Sequence, residues 1–174
     1  MSRKYVNDKW CVRCSKEDPT PYLSKKLDVI SPDVERRENM VVIDIGCGNG
    51  RNTNYMKEQG FGHIYSYDMA GDFGEEMTIG RDSFPLGMSA VDIVLANYIM
   101  MFLDTWESSH TMNEIDRVTK PGGYVMFELY AAKDSYYPTK EKLLDLQQQL
   151  REYLEGKGWE VVHYVQEKFI MRKS

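Results

Sequence analysis

Val41-Val42-Ile43-Asp44-Ile45-Gly46-Cys47-Gly48-Asn49-Gly50-Arg51-Asn52-Thr53 is the stretch whose reading decides the fold. Val41, Val42, Ile43 and Ile45 are apolar and β-branched, the composition of a central parallel strand. Gly46, Gly48 and Gly50 follow at alternate positions, where a backbone with φ > 0 can approach a ligand closely. A helix beginning near Asn52 points its free N–H groups and positive dipole end into the same crevice. Such a unit builds a nucleotide-type pocket at the carboxyl end of a parallel strand. The spacing G-C-G-N-G differs from the G-x-G-x-x-G of dinucleotide folds. Asp44, two residues before the first glycine, would repel a phosphate and suits a cationic ligand, one carrying an ammonium and a sulfonium.

Working outward, the helix after the turn is expected to run from Asn52 to about Gln59 and to end at Gly60. His63–Tyr67 reads as a second strand, ending in Asp68-Met69. A short third strand is expected near Met77–Gly80, and a fourth at Val91–Ala96. A helix from about Glu107 to Val118 carries Met112, Ile115 and Val118 on one face. Lys120-Pro121-Gly122-Gly123 reads as a turn before a fifth strand, Tyr124–Leu129. Lys140–Glu155 is a helix with Leu143, Leu146, Leu150 and Leu154 at three- and four-residue spacing. Trp159–Val165 and Lys168–Met171 close the chain as a tight strand pair. Alternating strands and helices with right-handed crossovers predict an α/β fold, a doubly wound, Rossmann-like, mostly parallel sheet. The last hairpin adds an antiparallel edge. Residues 1–40 are polar and punctuated by Pro19, Pro21 and Pro32, with a short helix capped by Ser31 and opened by Pro32. They are expected to form an N-terminal lid on one domain spanning residues 41–174.

The 174 residues fit one domain. With 42% hydrophobic and 28% charged residues the composition is that of a globular protein. The net charge of −5 disfavours the basic face that nucleic acid requires. No apolar run approaches the roughly 20 residues of a membrane span, and Met1–Tyr5 lacks a signal-peptide core. Three cysteines do not suggest a disulfide framework, so a cytoplasmic protein is expected. Asp68, at the end of the second strand and about twenty residues after the glycine turn, stands where a carboxylate accepts hydrogen bonds from both ribose hydroxyls. The alternative is that it caps the next helix. Met69 would lie against an adenine ring.

The glycine run resembles motif I of the class I S-adenosylmethionine (SAM)-dependent methyltransferases. Four blocks are similar to the tellurite-resistance methyltransferases, relatives of the thiopurine methyltransferases: Asp44–Thr53, Tyr98–Leu103, Thr119–Tyr124 and Ala131–Pro138. The similarity runs from about residue 40 to 165. The last two strands, joined here by about two residues, are where that family carries a long insertion. The resemblance implies SAM as cofactor, S-adenosylhomocysteine (SAH) as product, and Asp44, Gly46, Cys47, Gly48, Asn49, Gly50, Asp68 and Met69 as the cofactor-binding set. It implies that Asp82 and Ser83, before Pro85, contact the adenine, a surface turn being the other reading. It places Asn97 and Tyr98 beside the transferred methyl, Asn97 also against the cofactor. The implied acceptor is a small soft nucleophile, a tellurite- or selenite-like oxyanion or a thiol. Asn97-Tyr98-Ile99-Met100 lacks the proline of base-methylating enzymes, which disfavours base flipping. An enzyme acting on RNA or protein and a non-catalytic SAM-binding partner subunit are the rival readings.

Cys11-Val12-Arg13-Cys14 supplies two thiols where structural zinc needs four ligands, so no metal is expected. With Trp10, Tyr22 and Leu23 these cysteines read as parts of the lid. Tyr130, Tyr136 and Tyr137 follow the fifth strand as either a substrate wall or loop packing. The sequence does not specify an oligomeric state.

Overall fold

In a computed structural model, residues 16–71 and 73–174 are described in full, together with the backbone of two short antiparallel strands, β1 (Lys4–Val6) and β2 (Lys9–Cys11). The chain continues through α1 (Pro21–Ile30), a 3₁₀ turn (Val34–Asn39), β3 (Val41–Ile45), α2 (Arg51–Glu58), β4 (His63–Asp68), β5 (Glu75–Glu76) and β6 (Val91–Asn97). A 3₁₀ turn (Met100–Phe102) then leads to α3 (Thr105–Val118), β7 (Thr119–Glu128), α4 (Lys140–Glu155), β8 (Trp159–Val165) and β9 (Lys168–Lys173). Seven strands form one sheet in the order β5-β4-β3-β6-β7-β9-β8. The ladders from β5 to β7 are parallel, and β9 runs antiparallel to both β7 and β8. This is the doubly wound sheet with an antiparallel edge that the sequence predicts.

Strand alternation divides the core into two layers. Ile43, Ile45, Val94, Ala96, Val125, Phe127, Phe169 and Met171 face α3 and α4, whose Met112, Ile115, Leu143, Leu146, Leu150 and Leu154 cover them. Val42, Ile93, Leu95, Met126 and Ile170 face the other way, under Tyr22, Leu23, Leu27 and Ile30 of α1 and Met56 of α2. Asp44, Asn97, Glu128 and Lys168 share the parity of this second face and stand at the carboxyl end of the parallel strands.

Four local expectations are corrected. Residues 21–30, within the segment read as polar and punctuated by prolines, form α1. Pro21 sits at its start, where the missing N–H costs nothing. The following 3₁₀ turn is capped by Asp33, which accepts from Glu35 N, and not by Ser31. The Ser31 hydroxyl instead receives Arg37 Nε at 3.0 Å. The third strand is Glu75–Glu76. Met77 and Ile79, the apolar residues that suggested a strand, are buried in the core beyond the ladder, with Met77 N donating to Asp68 O at 2.9 Å. Lys120–Gly123 lies inside β7: Thr119 faces Val91 and Tyr124 faces Ile93, so the intervening residues bulge out of the ladder.

Candidate active site

The glycine turn is fixed from β4. Gly46 N and Cys47 N both donate to Tyr67 O, at 2.7 and 3.1 Å. Gly48 N donates to Asp68 Oδ2 at 2.7 Å, and Ala70 N to Asp68 Oδ1 at 2.8 Å. Asp68 is fully buried, so its carboxylate ties the turn to the segment after β4. Gly46, Gly48 and Gly50 have φ of 69°, 59° and 85°, the left-handed region that glycine enters without strain. Gly50 is the N-cap of α2. Phe73 packs over it, and Ile99 packs over Gly46. Met69 is half-buried against the core.

Asp44 is buried on the α2 side of β3. Thr53 Oγ1 donates to its Oδ2 at 2.7 Å, and Thr53 and Ser66 share a hydrogen bond of the same length. The carboxylate therefore fixes the first turn of α2 and adds negative potential beneath the glycine turn. Asn49 Nδ2 donates to Lys16 O at 2.6 Å, and Thr20 N to Asn52 Oδ1 at 2.9 Å. The chain entering α1 thus crosses the mouth of the turn. The lid reading meets α1 as a packed core helix, while the side chains of Trp10 and Cys11, and Cys14 altogether, lie outside the described residues. Asp82 and Ser83 stand on an exposed turn, where Asp82 Oδ2 accepts from Thr78 N. No hydrogen bond among those described brings either of them to the glycine turn.

The other half of the site lies at the ends of β6 and β7. Asn97 and Glu128 face each other across the ladder, and Asn97 Nδ2 donates to Glu128 Oε2. Asn97 is 8% exposed and Glu128 is fully buried. Among the described residues, Asn97 Oδ1 and Glu128 Oε1 have no hydrogen-bond partner. Lys168 Nζ reaches only to 3.8 Å of Glu128 Oε1. Tyr98 follows with φ of 61°, a strained conformation for a bulky residue, held by its N–H bond to Glu128 O at 2.7 Å. The rings of Tyr98 and Tyr130 meet edge to face at 5.2 Å. Burial, and then the Glu128 carboxylate, push the Tyr98 phenol well above the ordinary range, with Arg51 opposing. The same two causes raise Tyr22, whose hydroxyl shares a 2.7 Å hydrogen bond with His163 Nδ1.

Sequence reasoning missed Glu128, Lys168 and the place of Tyr22. The signal was present in Val125-Met126-Phe127-Glu128-Leu129, an acidic residue inside an apolar strand. A buried carboxylate is costly unless it is paired or functional, yet the run reads as strand alone. Among the described residues no group of His, Cys, Asp and Glu could hold a metal ion, and no helix is long and apolar enough to cross a membrane.

The family model described as a methyltransferase domain matches residues 16–169. The chain belongs to this family and is a SAM-dependent methyltransferase. The match does not extend to the narrower tellurite-resistance group. No curated protein matches the chain. Among solved structures, a SAM-dependent methyltransferase from Aquifex aeolicus superposes with a TM-score of 0.55 at 18% identity, covering 89% of this chain and 91% of its own. One from Mesorhizobium loti gives 0.58 at 12% identity, covering 77% and 91%. The trans-methyltransferase CalH, crystallised with SAH, gives 0.59 at 14% identity, covering 84% and 55%. These likenesses carry the fold.

The residues present fit SAM. The left-handed glycine turn offers a close backbone approach, Asp44 and Asp68 supply negative charge beneath it, and Asn97 Oδ1 is a buried acceptor without a partner among the described residues.

Proposed function

We propose that the protein transfers the methyl group of SAM to a small acceptor held at the carboxyl ends of β6 and β7. The observation that carries this reading is the Asn97–Glu128 pair, two buried polar side chains with acceptor atoms that have no hydrogen-bond partner among the described residues, beside the strand end that faces the methyl in this fold. Polar atoms buried this deeply suit a small molecule better than a folded RNA or protein surface, and the net charge of −5 agrees.

In this reading the backbone of Gly46, Cys47, Gly48, Asn49 and Gly50 cradles the amino-acid end of SAM. Asp44 favours its positive charge from beneath α2. Asp68 adds the ribose hydroxyls to the two backbone donors it already holds, and Met69 packs on the adenine. Asp82 and Ser83 reach the adenine only if their turn moves from its exposed position. When bound, SAM supplies a methyl on a cationic sulfur. Asn97 and Tyr98 fix the direction of approach, so the rate enhancement comes chiefly from proximity and orientation. The residues entering α1 and the tyrosines after β7 exclude water from the acceptor. Of the soft acceptors that the family resemblance implies, a thiol is compatible with this pocket. An oxyanion would bring a second negative charge against Glu128.

Calorimetric titration with SAM and SAH, beside Asp68→Ala, tests the reading. Micromolar binding by the natural chain is expected, weakened at least a hundredfold in the variant. The variant leaves Gly48 N and Ala70 N unpaired and removes the ribose acceptor. Absence of binding by the natural chain would refute the proposal.

A further inference from the structure

Glu128 Oε1 and Asn97 Oδ1 are acceptors, and they are buried. The orientation of the amide is fixed by chemistry. Glu128 as a carboxylate only accepts, so Asn97 must turn its NH₂ toward it and its oxygen away. The Tyr98 hydroxyl and the Lys168 ammonium face the Glu128 carboxylate, yet Glu128 Oε1 and Asn97 Oδ1 are each left without a hydrogen-bond partner among the described residues, which is unfavourable for a buried acceptor. A group with at least two N–H donors satisfies both. A thiol carries one weak donor, and a selenite- or tellurite-like oxyanion one O–H at most. The surrounding groups point the same way: the rings of Tyr98 and Tyr130 meet edge to face beside the pair, and aromatic faces attract cations.

Building on the proposed methyl transfer, we propose that the acceptor is a primary or secondary amine and that Glu128 is its general base. The amine arrives as an ammonium, and its N–H groups donate to Asn97 Oδ1 and Glu128 Oε1. One proton passes from nitrogen to Glu128 Oε1, which frees the nitrogen lone pair. That pair forms the new N–CH₃ bond while the bond from methyl to sulfur breaks and its electrons stay on sulfur. The products are the methylated ammonium, the neutral thioether SAH and a protonated Glu128, which returns its proton to water as product leaves. The charged and titratable groups facing Glu128 are Tyr22 from α1, Tyr98 after β6, Lys168 from β9 and, one residue further out, Arg51 from α2 and His163 from β8.

The test compares the natural chain with Glu128→Gln and Glu128→Asp, both first checked by thermal melting. Methylamine, ethanolamine and benzylamine are offered beside cysteine, selenite and tellurite, with SAH formation as one readout. The second readout is calorimetric binding of benzylamine to the SAH-loaded protein. Methylation of an amine is expected, and it should be strongly impaired in Glu128→Gln. That variant should bind SAH within threefold of the natural chain, lose at least a hundredfold in kcat and bind benzylamine at least tenfold more weakly. Glu128→Asp should restore part of both. Turnover of thiols or oxyanions alone overturns the proposal, as does silence of every amine while SAH binds, or a Glu128→Gln variant equal to the natural chain. Failure of the natural chain to bind SAH defeats the underlying methyl-transfer reading instead. Should both variants fail to fold, the natural chain still decides through its acceptor preference and its benzylamine binding.

Discussion

Two glycines separate steric from conformational demand. At Gly50 an added Cβ would meet the Phe73 ring, the far end of a side chain that is 39% exposed and can swing away. What remains is the φ of 85°, a left-handed backbone costing about 1–2 kcal/mol for a residue with a Cβ. At Gly62 φ is not left-handed, but the Cβ would run into the Glu38 carbonyl, which is backbone. Gly62→Ala is therefore expected to destabilise the fold more than Gly50→Ala in urea unfolding. Gly50→Ala should suffer the greater loss of SAH affinity, because its strain sits in the turn itself. Equal stability losses would show that the Glu38 segment yields. At this scale the sequence was half legible. The glycine turn and Asp68 stood out because few residue types tolerate those positions. Asp44 reads in the sequence as a partner for a cationic ligand, and that its carboxylate engages Thr53 depends on strand parity and on where α2 begins. The Glu128–Asn97 pair arises from register between β6 and β7, which a single run of residues does not display.

Elements were legible where composition and period agreed. β3, β4 and β6, α4 and the β8–β9 pair lie where the pattern predicts them, because apolar runs or leucine spacing left one solution. α1 was missed because prolines at 19 and 21 read as punctuation, whereas Pro21 opens a helix whose Tyr22, Leu23, Leu27 and Ile30 face the core. The start of α3 illustrates a signal that lies outside hydrophobic period. Asp104 accepts from Glu107 N at 2.8 Å while Glu107 Oε1 receives Asp104 N at 3.0 Å, a reciprocal capping box. The helix begins two residues before the Glu107 that periodicity gives. Asp104→Ala is expected to cost about 1 kcal/mol, read as a shift in the urea midpoint with unchanged slope. Because α3 covers the face of the sheet opposite α1 and α2, SAH affinity should stay within twofold. A large affinity loss would mean that the cap reaches the site through the loop before α3.

Across the whole molecule, two ionisable groups couple folding to pH at separate places. Glu114 of α3 accepts Arg117 Nε at 2.6 Å and Phe84 N at 2.8 Å. The Arg117 hydrogen bond, helped by the Phe84 N–H, holds its carboxyl below the ordinary range against the opposing effect of burial. A depressed carboxyl contributes stability at pH values above its unfolded pKa, about 4.3, and that contribution is lost as pH falls through the folded value. His163 of β8 is also depressed, by burial first and then by Lys26. Its neutral form is the one that folding favours, so its contribution is complete above the ordinary imidazole value of about 6.5 and declines as pH falls below it. The urea midpoint should therefore fall in two stages on acidification. His163→Gln, which keeps a partner for the Tyr22 hydroxyl, should flatten the stage below pH 6.5. Glu114→Gln, which keeps an acceptor for Phe84 N, should start lower and flatten the more acidic stage. Since Tyr22 joins His163 to the Glu128 end of the sheet, the first stage should also appear in SAH-free protein as a loss of protection at the backbone amides of α1, measured by hydrogen exchange at pH 7 and pH 5.5. Protection in α1 unchanged between these two values would confine the histidine's effect to the edge strand β8.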